Sequence, residues 1–170
     1  TRFDTATLNE AGLSEFYNKA ASNWKSSDGM DMNISVEKPY KPSAEESADG
    51  FKSGSYNAVD KVITWSMGIN YNRQELGEVT LTDPITSNQK FIPGSVRVYK
   101  YTIDADGSYH KGEEITGDAR FTITEPTTSL NTLTINISEV GTVDQFMFEF
   151  QTSLVGEVVN DEQAYKNKAT

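Results

Sequence analysis

Hydrophobic and polar residues alternate along most of this chain. In Val62-Ile63-Thr64-Trp65-Ser66-Met67-Gly68-Ile69, the residues Ile63, Trp65, Met67 and Ile69 fall on one face with smaller or polar residues between them. That period of two marks a strand buried on one side. Val79-Thr80-Leu81-Thr82-Asp83 repeats it, and further strands are predicted at 95–103, 120–124, 132–137, 145–154 and 164–169. Turn clusters separate them, among them Thr86-Ser87-Asn88, Asp104-Ala105-Asp106-Gly107 and Glu125-Pro126-Thr127-Thr128. Their spacing predicts an all-β sandwich rather than alternating strands and helices. Only residues 9–21 look helical, and residues 39–50, polar, acidic and proline-bearing, are expected to form an exposed loop or linker.

The two ends of the chain echo each other. Phe3-Asp4-Thr5, then Phe16-Tyr17-Asn18-Lys19-Ala20, is matched by Phe150-Gln151-Thr152, then Tyr165-Lys166-Asn167-Lys168-Ala169. Self-similarity at a long fixed period is the mark of a tandem array. Residues 1–21 are therefore expected to be the closing strand of a preceding repeat module, which would pair with an exposed sheet edge or a neighbouring molecule. Residues 22–50 would hold a connecting segment and the first strand, and residues 51–170 the main module. The strand-rich second copy argues against a helix at 9–21.

Composition narrows the function. The 170 residues suit one domain with a real core, and 36% hydrophobic content with 11% aromatics is enough to build it. Fifteen basic residues against 25 acidic ones leave a net charge of −10, which repels nucleic acid and anionic membranes. No run reaches the roughly 18 apolar residues of a membrane span, so no membrane insertion is expected. The chain has no cysteine, which rules out disulfides and thiolate metal sites.

Several short motifs, taken in order, resemble a known family. They are Lys52-Ser53-Gly54-Ser55-Tyr56, Ile63-Thr64-Trp65-Ser66-Met67-Gly68-Ile69-Asn70, Val79-Thr80-Leu81-Thr82-Asp83, Gly94-Ser95-Val96-Arg97-Val98-Tyr99 and Tyr165-Lys166-Asn167-Lys168-Ala169. Over residues 50–170 this pattern is similar to the immunoglobulin-like modules of Gram-positive surface adhesins related to the collagen-binding adhesins. The resemblance implies an immunoglobulin-like β-sandwich on the bacterial cell surface. It also implies a self-made isopeptide bond between Lys52 and Asn167, promoted by Asp83. Pro84, where the family more often has a small polar residue, departs from the pattern.

The side chains fit that chemistry. An ammonium has no lone pair, so Lys52 must be neutral before it can attack an amide. Taking a lysine from about 10.4 to below about 7 costs about 5 kcal/mol, within the reach of burial. The same dry surroundings favour a protonated Asp83, able to donate to the developing oxyanion and pass protons to the departing ammonia. Parity places Val79, Leu81 and Asp83 on one face, and Tyr165, Asn167 and Ala169 on one face of the last strand. The plainer alternative makes Asp83 a turn residue before Pro84 and Asn167 an ordinary strand-end amide. Lys61 is the competing lysine, but it adjoins Asp60 in what reads as a turn.

Other candidates carry less. Asp104-Ala105-Asp106-Gly107-Ser108 looks like a calcium loop, but its glycine is misplaced for an EF-hand and the twelfth position is Ile115; a hairpin turn between Tyr101 and Tyr109 fits better. His110 is the sole histidine, so neither a metal cluster nor a Ser/His/Asp set can be assembled around it. No cofactor and no enzymatic turnover are expected. The reading is a stalk or spacer module of a cell-wall-anchored adhesin, with adjacent modules of the same polypeptide as partners. The alternative is a module that binds a host matrix protein or a glycan, which should carry an exposed aromatic or apolar patch.

Overall fold

The computed structural model describes residues 16–41, 43–86 and 88–156. The chain divides into two compact units, residues 1–47 and 48–170. In the first, β1 (Phe16–Lys25) and β2 (Asp31–Tyr40) form an antiparallel hairpin with Lys25 opposite Asp31. The turn closes through Ser26, whose N–H donates to Met30 O at 2.9 Å, and Gly29 takes the left-handed φ of 85° that the reversal needs.

These strands differ from the expectation. The stretch 16–21 is strand, but its partner is 31–40 of the same chain, not an edge of the main module or a neighbour. The boundary placed after residue 21 falls inside β1. The presumed loop at 39–50 holds the end of β2 and one helical turn, α1 (Ala44–Ala48). Ser43 and Glu46 explain the turn: Ser43 Oγ accepts from Glu46 N–H at 3.2 Å, and Glu46 Oε2 accepts from Ser43 N–H at 2.6 Å. This reciprocal pair is a capping box, which satisfies two N–H groups that a helix start leaves open. The expected strand at 164–169, like residues 3–5 of the repeat, lies outside the described residues.

The second unit is an immunoglobulin-like sandwich of antiparallel strands. β3 (Gly50–Asn57), β4 (Val62–Ile69), β11 (Phe146–Ser153), β7 (Arg97–Ile103) and β8 (Tyr109–Glu114) lie side by side in that order, with β6 (Lys90–Phe91) on the end of β11. The facing sheet runs β5 (Gly77–Pro84), β10 (Thr132–Val140), β9 (Phe121–Thr124). Period two decides what is buried. Ile63, Trp65 and Met67 of β4, Phe146, Phe148 and Phe150 of β11, and Leu133, Ile135 and Ile137 of β10 meet in one core. Phe121 reaches across from β9 to set its ring edge-to-face on Phe146 at 5.1 Å and on Phe148 at 5.9 Å.

The strands expected at 62–69, 79–83, 95–103, 120–124, 132–137 and 145–154 are all present to within a few residues. β3 and β8 carry no such pattern because, among the described residues, they are edge strands: β8 is exposed throughout, and β3 from Ser53 onward. Among the described residues no helix is long and apolar enough to cross a membrane.

Candidate cross-linking site

Lys52 and Asp83 come from opposite sheets. Lys52 is the third residue of β3, opposite Met67 of β4, and Asp83 sits near the end of β5, opposite Leu133 of β10. Val79 and Leu81 are half-buried and Asp83 is buried, with Glu78, Thr80 and Pro84 exposed between and beyond them. Parity therefore aims Asp83 into the sandwich, not into a turn. There its Oδ2 stands 2.5 Å from Lys52 Nζ, with side-chain exposures of 1% and 15%.

Aromatic walls complete the lysine's surroundings. Nζ lies 5.4 Å from the Trp65 ring centre and 5.8 Å from that of Phe150. A cation over such faces gains about 0.5–2 kcal/mol, whereas stripping water from an ammonium costs several kcal/mol. Desolvation wins. Burial holds Lys52 below its ordinary value, against the opposing hydrogen bond and charge of Asp83.

Trp65 is itself held from three sides. It faces Gly54 in the β3–β4 register, and a Cβ on Gly54 would stand 2.8 Å from the indole Cζ3. Its Nε1–H donates to Gln89 Oε1 and Thr152 Oγ1, both at 3.0 Å, and the Thr152 hydroxyl donates to Gln89 Oε1 at 2.8 Å. Trp65 is a core residue, as its strand pattern predicts. Gln89 and Thr152 were not singled out from sequence. Thr152 could have been found, because it continues the buried face Phe146, Phe148, Phe150, and a hydroxyl there needs a partner.

The remaining candidates lie elsewhere. Asn167 is outside the described residues. Lys61 is exposed in the β3–β4 turn at φ 52°, so it does not compete for this site. Asp104–Ser108 forms the β7–β8 turn, with Asp104 N–H donating to Ser108 O at 2.8 Å and Gly107 at φ 87°. His110 is exposed on β8, its Nε2 2.9 Å from Asp104 Oδ2.

The large sheet's other face carries an aromatic cluster that the sequence reading did not isolate. Tyr71, Tyr101 and Met147 are buried there, with Phe51, Tyr99 and Ile103 packed against them. Phe51 stacks on Tyr109 at 3.9 Å between ring centres, and 37% of Tyr109 is exposed. Beside them Lys111 lies over Tyr99 at 4.6 Å and donates to both carboxylate oxygens of Glu149 at 3.1 Å.

The described fold is thus a two-sheet sandwich in which Lys52 and Asp83 meet between the sheets. Residues 47–170 match the family described as the collagen binding domain, and the chain belongs to that family. Among solved structures it is similar to the collagen binding domain of the Erysipelothrix rhusiopathiae surface protein RspB, with 19% identity and a TM-score of 0.52 over 90% of this chain and 48% of that one. It is also similar to the collagen-binding domain of a Staphylococcus aureus adhesin, at 18% identity and a TM-score of 0.49 over 71% of this chain and 82% of that one. ACE19, the collagen binding subdomain of Enterococcus faecalis surface protein ACE, gives 13% identity and a TM-score of 0.47 over 72% and 92%. The chain thus spans about half the length of the RspB structure. No curated protein matches it in a sequence search.

Proposed function

We propose that this module is a load-bearing spacer of a cell-wall-anchored bacterial adhesin, sealed inside by an amide bond between Lys52 and Asn167. The observation that carries the proposal is the buried Lys52–Asp83 contact between the two sheets. The neutral Lys52 nitrogen attacks the Asn167 side-chain carbonyl carbon while protonated Asp83 donates to the carbonyl oxygen. The carbon–nitrogen bond of the asparagine amide then breaks. Asp83 relays a proton from the lysine nitrogen to the leaving group, which departs as ammonia, and one new amide joins the two side chains. No oxidant or cofactor is involved. Each chain reacts once, so the activity is self-modification, not enzymatic turnover.

The mechanical advantage follows from topology. In the entropy model a tie closing a loop of about 100 residues stabilises by about 4.7 kcal/mol. Under pulling force it also keeps Lys52 and Asn167 from being drawn apart. Intact mass tests the reading: the purified chain should be about 17 Da lighter than its sequence mass, one ammonia, and Lys52→Ala, Asp83→Ala and Asn167→Ala should each restore the full mass. A wild-type mass equal to the sequence mass sinks the proposal. A low mass that survives Lys52→Ala sinks the lysine assignment.

A second reading is favoured by the outer aromatic cluster. Phe51, Tyr99 and Tyr109 on the large sheet, with the Lys111–Glu149 pair beside them, form a surface suited to an extracellular matrix protein, and the family's description points to collagen. The two readings are compatible, since Lys52 and Asp83 meet inside the sandwich and this surface lies outside it.

A further inference from the structure

We infer that Thr152 and Gln89 are positioning residues for the cross-linking of Lys52, because they hold the Trp65 indole in place as the apolar wall over the lysine nitrogen. The inference rests on the proposed Lys52–Asn167 bond. It concerns residues outside the Lys52–Asp83 pair.

The indole has one N–H, and it is shared between Gln89 Oε1 and Thr152 Oγ1 at 3.0 Å each. Thr152 in turn donates to Gln89 at 2.8 Å, and Gln89 Nε2 donates to Thr86 O at 3.1 Å, so the trio is anchored to backbone. All three residues are buried, at 8% exposure for Trp65, 6% for Gln89 and 0% for Thr152. A phenylalanine or leucine would fill such a core without needing any of these polar groups. What the network adds is orientation, because it fixes the rotation of a ring that could otherwise turn within its pocket.

That orientation matters for one neighbour. With Gly54 beneath it, the ring presents its face to Nζ at 5.4 Å. Among the described residues, three elements face the nitrogen: β5 through Asp83, β4 through Trp65 and β11 through Phe150. Of the charged side chains among the described residues, Asp83 is the one paired with it. A loosened indole would admit water, restore the ammonium, and leave less of the neutral amine that reacts.

The distinguishing readout is pH. In freshly purified full chain, the fraction lighter by about 17 Da is followed over time near pH 7 and near pH 10. Thr152→Val, which keeps the shape and removes the hydroxyl, should slow the reaction severalfold near pH 7, as expected if the lysine moves back toward its ordinary value. Near pH 10 its rate should return toward wild type. Thr152→Ser should react like wild type at both values. Gln89→Met should behave as Thr152→Val does, and it carries the test if the valine variant does not fold. A rate unchanged in both Thr152→Val and Gln89→Met overturns the inference. So does an equal slowing at both pH values, which would mark a packing defect. A wild-type chain that never loses ammonia removes the proposed bond and this inference with it, whereas a wild-type chain that reacts beside an unaffected variant removes the inference alone.

Discussion

Gly54 and Trp65 face each other across the β3–β4 ladder, and the indole occupies the space where a side chain at position 54 would begin. A Cβ there would meet Cζ3 at 2.8 Å and Cε3 at 3.0 Å, too close for either to stay. The ring cannot yield cheaply, because its N–H is tied to Gln89 and Thr152. Gly54→Ala should therefore destabilise the sandwich by roughly 1–3 kcal/mol, the usual cost of overpacking a core. It should also slow cross-linking, since the displaced ring is the wall beside Lys52. Urea denaturation and timed intact mass measure the two effects, and an alanine variant as stable and as fast as wild type would show that the ring has somewhere else to go.

The pH dependence of the uncross-linked fold has a sign set by Lys52. In Asn167→Ala the bond cannot form, yet Lys52 stays buried and is held below its ordinary value of 10.5 by desolvation. Between the depressed value and 10.5, the unfolded chain binds a proton that the folded chain has released, so stability rises with pH across that window. Tyr101 acts in the opposite sense. Its phenol is pushed up by burial from an ordinary value of 10.0 while its hydroxyl donates to Ile69 O at 2.9 Å, so above about pH 10 the unfolded chain loses a proton that the folded chain keeps, and stability falls. Urea midpoints of Asn167→Ala should climb as pH rises toward about 10 and then drop. Adding Lys52→Met should flatten the climb, and adding Tyr101→Phe should flatten the fall. A climb that persists without Lys52 would assign it to another group.

The reach of the sequence can be judged residue by residue. Period two in β4, β5, β10 and β11 placed the core, and the same parity aimed Asp83 inward, because a strand buried on one side has no freedom to present a residue to the wrong face. A first strand was expected within residues 22–50 but not placed at β2, although Met32, Ile34 and Val36 alternate, because Pro39 and the acidic run after it read as a loop. The tertiary partners of polar residues were not legible. Asn70 appeared only as the end of a motif. In the fold it is fully buried at φ 57°, and its amide donates to Gln74 O, Gly141 O and Asp144 O at 2.8–3.1 Å, tying the loop after β4 to the loop before β11. Gly141 and Asp144 are 71 and 74 residues from Asn70 in the chain, beyond any local pattern. The Thr152–Gln89–Trp65 network escaped for the same reason.

Arg120 shows how charge closes the same end of the sandwich. Its guanidinium donates to Asp118 Oδ2 at 2.9 Å and Asp144 Oδ1 at 3.0 Å while lying 5.0 Å from the Phe146 ring centre. The hydrogen bond from Arg120 holds Asp118 below its ordinary value. A lysine keeps the charge but loses the planar fork that spans both carboxylates and stacks on the ring. Arg120→Lys should cost about 1–2 kcal/mol by urea denaturation, with the loss shrinking as pH falls through the Asp118 titration. A neutral outcome would mean that one carboxylate suffices.

Gly68 tests the outer face separately from the interior. It is the β4 residue directly opposite Phe51, and a Cβ would lie 2.1 Å from the Phe51 Cε1. Phe51 could therefore not lie over β4 in Gly68→Ala. Its stack on Tyr109 and its edge contact with Tyr101 at 5.5 Å would be lost, while Lys52, one residue on, points to the opposite face. If the outer cluster binds collagen, Gly68→Ala and Tyr109→Ala should each weaken binding to immobilised collagen by about tenfold or more, a loss of about 1.4 kcal/mol. Both variants should still lose ammonia, because the aromatic wall beside Lys52 is untouched. Binding retained in both variants would exclude this face as the collagen surface. Loss of cross-linking together with binding would show that the two faces of the sheet are not independent.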